Sequence, residues 1–361
     1  MNHLKSIILI LLISALVGPL NAQLTRKYSN EFLAIGVSAR ALGMSNSVVG
    51  SVNDVTAGYW NPAGLIGIES DMQVTAMHAE YFAGIAKFDY AAIGKRIDST
   101  SAVALSVIRF GVDDIPNTTE LIDAEGNIDY DRITSFSAAD YAFIVSYAKK
   151  LKSPLTVGVN AKVIYRHVGD FANAYGFGID GGLQYDHKGW KFGLLARDIT
   201  TTFNSWVTKL DDRTKEVFEL TGNEIPQNSV ELTLPRIVLG AARTFNLKKF
   251  SIMPEINLDF TTDGKRNVLV SANPISMDPH MGIELGYNQK IFVRGGLGNI
   301  QKETSADGGN AYSLQPNFGI GIRFQRIVLD YALSDIGDQS VALYSNVFSL
   351  KFDIIKAVAR N

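Results

Sequence analysis

Between Thr156 and Arg166 the odd positions carry Val157, Val159, Ala161, Val163 and Tyr165, whereas the even positions include Asn160, Lys162 and Arg166. From Tyr175 to Tyr185 one face holds Tyr175, Phe177, Ile179, Leu183 and Tyr185, and the other Gly176, Gly178, Asp180, Gly182 and Gln184. Phe250 to Phe260 repeats the device in the other parity, with Ser251, Glu255, Asn257 and Asp259 opposite the apolar side chains. A two-sided period of two predicts strands with one apolar face and one polar, glycine-rich face. The same reading places strands near 72–82, 85–97, 100–111, 138–150, 154–167, 174–187, 189–198, 234–246, 248–261, 279–288, 290–299, 312–324, 326–334 and 340–353. The second, third and eighth alternate poorly, and Pro254 and Pro316 each remove a ladder hydrogen bond from a proposed strand.

A soluble sandwich would alternate in the same way, so the connections decide the architecture. Every second one is a tight turn, around Asp98, Lys152, Lys188, Lys248, Gln289 and Gln325, while the intervening ones include the long stretches 112–137, 199–233 and 262–278. Short turns at one end and long loops at the other, with an even count of about fourteen strands, predict an all-β fold, a transmembrane antiparallel β-barrel with both termini in the periplasm. No apolar run after Gly64 is long enough for a helix to cross a bilayer.

One stretch fits neither period. Phe32 to Leu65 is apolar and rich in small residues, with glycines at 36, 43, 50, 58 and 64, and it ends in Trp60-Asn61-Pro62-Ala63-Gly64. Too apolar for water and too broken for one long element, it needs an enclosure, and the barrel lumen supplies one. Ahead of it, Lys5, the apolar Ser6 to Leu20 and the small-residue site at Asn21-Ala22 form a secretory signal. The expected organisation is a signal peptide at 1–22, a luminal plug at 23–70, a barrel at 71–353 and a periplasmic tail at 354–361, in the bacterial outer membrane.

Composition removes several kinds of chemistry. There is no cysteine, so neither disulfides nor thiolate sites are available. A formal charge of -2 argues against a nucleic-acid surface. The five histidines are scattered without HExxH spacing, and neither a Walker loop nor a GxSxG elbow occurs. Gly176 to Gly181 matches GxGxxG by letters, but it lies inside an alternating strand where no helix N-terminus would meet a phosphate. The acidic stretch 112–137 reads as a solvated loop; its Asp123-Ala124-Glu125-Gly126-Asn127 has the glycine misplaced for an EF-hand. No enzyme activity, cofactor or metal site is expected.

What remains is a constellation of charges on the inward faces: Lys162, Arg166, Asp180, Arg197, Glu255, Asp259, Glu284, Arg294, Arg323 and Asp330, with Lys351 beside them. Their mixed sign suits a ladder of ion pairs that fills the lumen and grips the plug, or else a polar conduit. In the plug, Arg40, Asp54, Trp60, Asn61, Pro62 and Gly64 are structural candidates, and Arg40 needs an acid from the wall because an enclosed cation needs a partner.

The residues Phe32 to Gly36, Ser38 to Met44 and Asp54 to Leu65 resemble the N-terminal signature of the PorV/PorQ family, outer-membrane proteins of Bacteroidetes related to FadL-type barrels. Leu234-Pro235-Arg236, Arg294-Gly295-Gly296 and Asp330-Tyr331-Ala332-Leu333 are shorter matches. The resemblance implies a fourteen-stranded barrel with a luminal N-terminal segment. It also implies a non-enzymatic role in the type IX secretion system, with outer-membrane lipid, the translocon barrel and sorting-domain cargo as partners. The alternative is a FadL-like channel for uptake of hydrophobic small molecules. An apolar pocket between loops and plug with a lateral gap in the wall would favour uptake; a closed wall with an apolar patch on the loops would favour protein docking.

Overall fold

The computed structural model describes residues 29–122, 127–151, 154–304, 310–334 and 344–355. The signal segment, Lys152, Asp123 to Gly126 and the tail from 356 lie outside them. The strands are β1 (Met72–Tyr81), β2 (Ala86–Arg96), β3 (Ser101–Asn117), β4 (Thr134–Lys150), β5 (Leu155–Val168), β6 (Ala172–His187), β7 (Trp190–Arg197), β8 (Thr202–Thr208) and β9 (Ser229–Thr233). They continue with β10 (Arg236–Arg243), β11 (Phe245–Leu247), β12 (Phe250–Thr261), β13 (Ser276–Tyr287), β14 (Ile291–Thr304), β15 (Asn310–Phe324), β16 (Ile327–Ser334) and β17 (Ser345–Ile354).

All neighbours are antiparallel, and β17 pairs back onto β1 from Met72↔Ile354 to Glu80↔Asn346, which closes the sheet. β8 prolongs the position of β7 against β6, and β9 and β11 prolong that of β10, so the ring has fourteen wall positions. Closure removes the free edges of the ring except along β9, which pairs with β8 alone, and paired edges are what allow strands to cross a bilayer with their backbone groups satisfied. The outward faces carry the apolar set read from the alternation, with Val159, Val163, Tyr175, Phe177, Leu183, Ile256 and Ile320 all exposed. No helix among the described residues is long and apolar enough to cross a membrane.

The tight turns lie at one end, and their backbone explains their length. Lys188, Lys248, Asn288, Gln289 and Gln325 have positive φ between 51° and 54°, the conformation that matches a two-residue turn to the twist of its strands. Pro254 sits opposite Ile283 and Pro316 opposite Leu297 without ending β12 or β15.

The long connections are shorter than the sequence suggests. β3 runs on to Asn117 and β4 begins at Thr134, so the stretch 112–137 is largely a hairpin rising above the ring. Within 199–233 the chain forms β8, a helix α1 (Asp212–Leu220) and β9. Polar side chains in these parts hide the strand pattern, because Arg166 takes Asp140 and Glu231 as partners that solvent would otherwise hold.

The hydrophobic core lies inside the ring. Phe32, Val37, Met44, Val48, Val52, Val55, Trp60, Leu65 and Ile68 of the N-terminal segment are buried against inward residues such as Phe88, Ile108, Ile144, Ile164, Leu195 and Val238.

Candidate functional site in the lumen

The luminal segment is a chain of single helical turns, Glu31–Leu33, Ala39–Leu42, Ala57–Trp60 and Pro62–Gly67, joined by sharp reversals. It binds itself first. Trp60 Nε1 donates to Val37 O at 2.9 Å, and Tyr59 Oη donates to Leu33 O at 2.6 Å. Asn61 Nδ2 donates to Val49 O at 3.1 Å and to Leu183 O of β6 at 3.0 Å, so one side chain ties two loops to the wall. Pro62 lies flat against the wall where β5 and β6 offer Gly158 and Gly182; a Cβ at either position would collide with it. Gly64 is packed on the carbonyl of Val52.

Ionic contacts hold the segment at several points. Arg40 Nε donates to Glu284 Oε2 at 2.9 Å; the same carboxylate takes Arg294 Nε at 2.7 Å, and Arg294 reaches Asp330 at 2.7 Å. Asp54 accepts from Lys351 Nζ at 2.6 Å and from the Thr56 hydroxyl at 2.5 Å. Glu255 Oε1 accepts from the Gly50 amide at 2.7 Å. Arg197 donates to Leu33 O at 3.0 Å while its guanidinium stands 4.5 Å from the Tyr59 ring. Buried ions of opposite sign with their hydrogen bonds filled are tolerated, but removal of one partner leaves an uncompensated charge.

The other inward charges serve the wall. Lys162 Nζ lies between Asp180 at 2.8 Å and Asp198 at 2.6 Å, almost fully enclosed. Asp259 faces His280 at 3.4 Å and Arg236 at 3.9 Å. Arg323 stands apart from the constellation, exposed at the tight-turn end with its guanidinium over Phe292.

The sequence does not single out Asp198, and it marks Arg236 only within a short match, His280 only as one of five scattered histidines and Gln184 only as one residue of a polar face. Gln184, whose Nε2 donates to Val52 O at 2.9 Å, is visible as a polar member of the inward face of β6. Nothing local marks Asp198, or the luminal roles of Arg236 and His280.

Between this segment and the loop end lies a cavity of about 910 Å³. Ile35, Leu42, Trp60, Phe110 and Val238 give it apolar surface, and Arg236, Asp259 and His280 add polar groups. Beside it the wall parts. β10 pairs with β12 only from Arg236↔Thr261 downward, and β9 above it pairs with β8 alone. Pro235 stands at the fork, without an N–H to extend the ladder.

The gap is occupied by the first described residues. Asn30 Nδ2 donates to Thr233 Oγ1 at 2.7 Å, Thr233 Oγ1 donates to Ser29 Oγ at 2.8 Å, and Arg266 reaches Glu31 at 3.0 Å. Arg266 also grips Asp263 at 2.6 Å. Burial would raise the Asp263 carboxyl, but the hydrogen bonds and charge of Arg266 outweigh it and hold the group below the usual carboxylate range.

No family model matches the chain, and no curated protein matches it. Solved structures do. A toluene transporter of Pseudomonas putida, TodX, superposes with a TM-score of 0.55 at 12% identity, over 88% of this chain and 98% of that one. The Ralstonia pickettii toluene transporter TbuX gives 0.53 at 14% identity, over 88% and 98%. A Pseudomonas aeruginosa FadL homologue gives 0.54 at 12% identity, with the same coverage. The chain therefore has the closed fourteen-stranded barrel fold of FadL-type outer-membrane transporters.

Proposed function

We propose that the protein is a non-enzymatic bacterial outer-membrane channel for hydrophobic small molecules. In this reading the ligand collects in the loop-end cavity beside Trp60 and leaves sideways through the gap above Pro235 once Ser29 to Glu31 withdraw. The observation that carries it is the parted wall with a cavity directly behind it. The outward neighbours of the gap, Phe203, Val230 and Leu232, are exposed and apolar, so a molecule leaving there meets a surface suited to lipid. The remainder of the luminal segment, fixed by Asn61 and the ion pairs, stops the straight path through the ring and so acts as a plug. The structural neighbours include toluene transporters, which supports an apolar cargo.

The chain has three tryptophans, at 60, 190 and 206, and only Trp60 lines the cavity. In a Trp190→Phe/Trp206→Phe variant, toluene titration should change Trp60 emission saturably. A linear, non-saturating response would count against a luminal site.

A role in protein secretion is the second reading, and one feature favours it. The loop-end hairpin and α1 expose Ile128, Tyr130 (72%) and Leu220 (75%), and Arg213 of α1 donates to Ile122 O at 3.2 Å, joining the two into one apolar rim. Capture of a translocon barrel or sorting-domain cargo on the tagged protein, with loss of secreted proteins in a deletion strain, would support it; normal secretion with no such partner would remove it.

A further inference from the structure

The outer wall carries a second site unrelated to the lumen. One row of directly paired residues crosses six adjacent strands: Tyr331 of β16, Phe348 of β17, His78 of β1, Asp89 of β2, Arg109 of β3 and Tyr141 of β4. On the outward face of a membrane barrel the hydrocarbon band is apolar and its rims are mostly aromatic, as Tyr331, Phe348 and Tyr141 are here. Three ionisable side chains interrupt the row. His78 Nδ1 lies 2.7 Å from Asp89, and Arg109 spans Asp89 and Asp113 at 3.4 Å each. Glu80 and Lys87 stand opposite each other one step higher.

These charges sit near the outer end of β1 and β2, strands of 10 and 11 residues joined by a short turn. A tilted strand of this length just crosses the hydrocarbon, which puts its last residues at headgroup depth. One step deeper the row reads Leu329, Leu350, Ala76, Ala91, Val107. The two alanines make a floor between larger neighbours, and an apolar depression of about 470 Å³ lies over them, bordered by Phe348. A polar mouth above an apolar trough has the polarity of one lipid molecule.

We propose that this face binds a phosphate-bearing acyl lipid of the surrounding bilayer. Its chain lies on Ala76 and Ala91, and its phosphate meets Arg109, which also bonds Tyr141 and makes two long ion-pair contacts. Lys87 stands beside it, paired to Asp113 at 3.1 Å. Neither a second copy of the chain nor another protein accounts as simply for a trough floored by two methyl groups directly beneath a charged mouth.

The test is native mass spectrometry of the barrel in dodecylmaltoside, with palmitoyl-oleoyl phosphatidylglycerol in one arm and lipid A in the other. The wild type should retain one lipid saturably in at least one arm, and the arm that binds names the source. Arg109→Gln and Ala91→Phe should each weaken retention at least tenfold, whereas Val293→Phe on the far wall should not. Heat-dependent gel migration reports assembly, and Ala76→Phe fills the same floor if Ala91→Phe fails to assemble. Equal retention by the variants, retention that does not saturate, or a dimer formed through this face without lipid would overturn the proposal.

Discussion

Glu284 joins two parts of the molecule, because its carboxylate holds Arg40 of the luminal segment and Arg294 of the wall at once. Glu284→Gln should therefore leave Arg40 without its ion pair and Arg294 with Asp330 alone, and lower barrel stability by roughly 3–5 kcal/mol, seen as an earlier heat-induced shift in gel migration. At the gap, the Asp263 carboxyl is held low by Arg266. A group whose pKa is depressed in the folded state contributes stability above its unfolded pKa and loses it as pH falls through the folded value. Hydrogen-exchange protection of residues 262–275, taken relative to the intrinsic exchange rate at each pH, should accordingly fall on acidification below about pH 4, and Asp263→Asn should abolish that pH dependence. The sequence shows that an enclosed Arg40 needs an acid, but not that the acid is 244 positions away. Local pattern fixes which face a charge occupies and carries no information about which distant charge it meets.

Among the elements, strands with clean alternation such as β5, β6 and β12 are legible almost to the residue. β8 and β9 are not, because Asn204 and Glu231 point inward to partners on Asn30 and Arg166, so their polar faces look like loop. The enclosure of Phe32 to Leu65 is legible from composition alone. Its contact surface is not: the glycines of β5 and β6 look like generic lumen lining, yet Gly158 and Gly182 are the places where Pro62 meets the wall. Gly182→Val should force the segment off β6 at a cost of roughly 1–3 kcal/mol or more. The expected outcome is a barrel that assembles in lower yield and whose Val48–Val52 peptide gains proteolytic sensitivity, read by limited proteolysis.

At the scale of the whole molecule, closure, strand number and the asymmetry of the connections follow from period-two patterning and turn spacing, because a barrel repeats one local rule around a ring. The division of that ring into a sealed wall and a gap does not. It depends on where β9 leaves β12, and in the sequence Pro235 is only one more proline near a strand end. In the proposed function, cargo passes through this gap when Ser29 to Glu31 move. Absence of native cysteine makes a direct measurement possible. A Ser29→Cys/Thr233→Cys pair joins two side chains whose oxygens lie 2.8 Å apart. With the double variant as the only hydrocarbon channel in the outer membrane, toluene uptake by whole cells should fall at least fivefold under oxidising conditions and recover with dithiothreitol. Full uptake by the verified oxidised form would show that cargo does not pass through this gap.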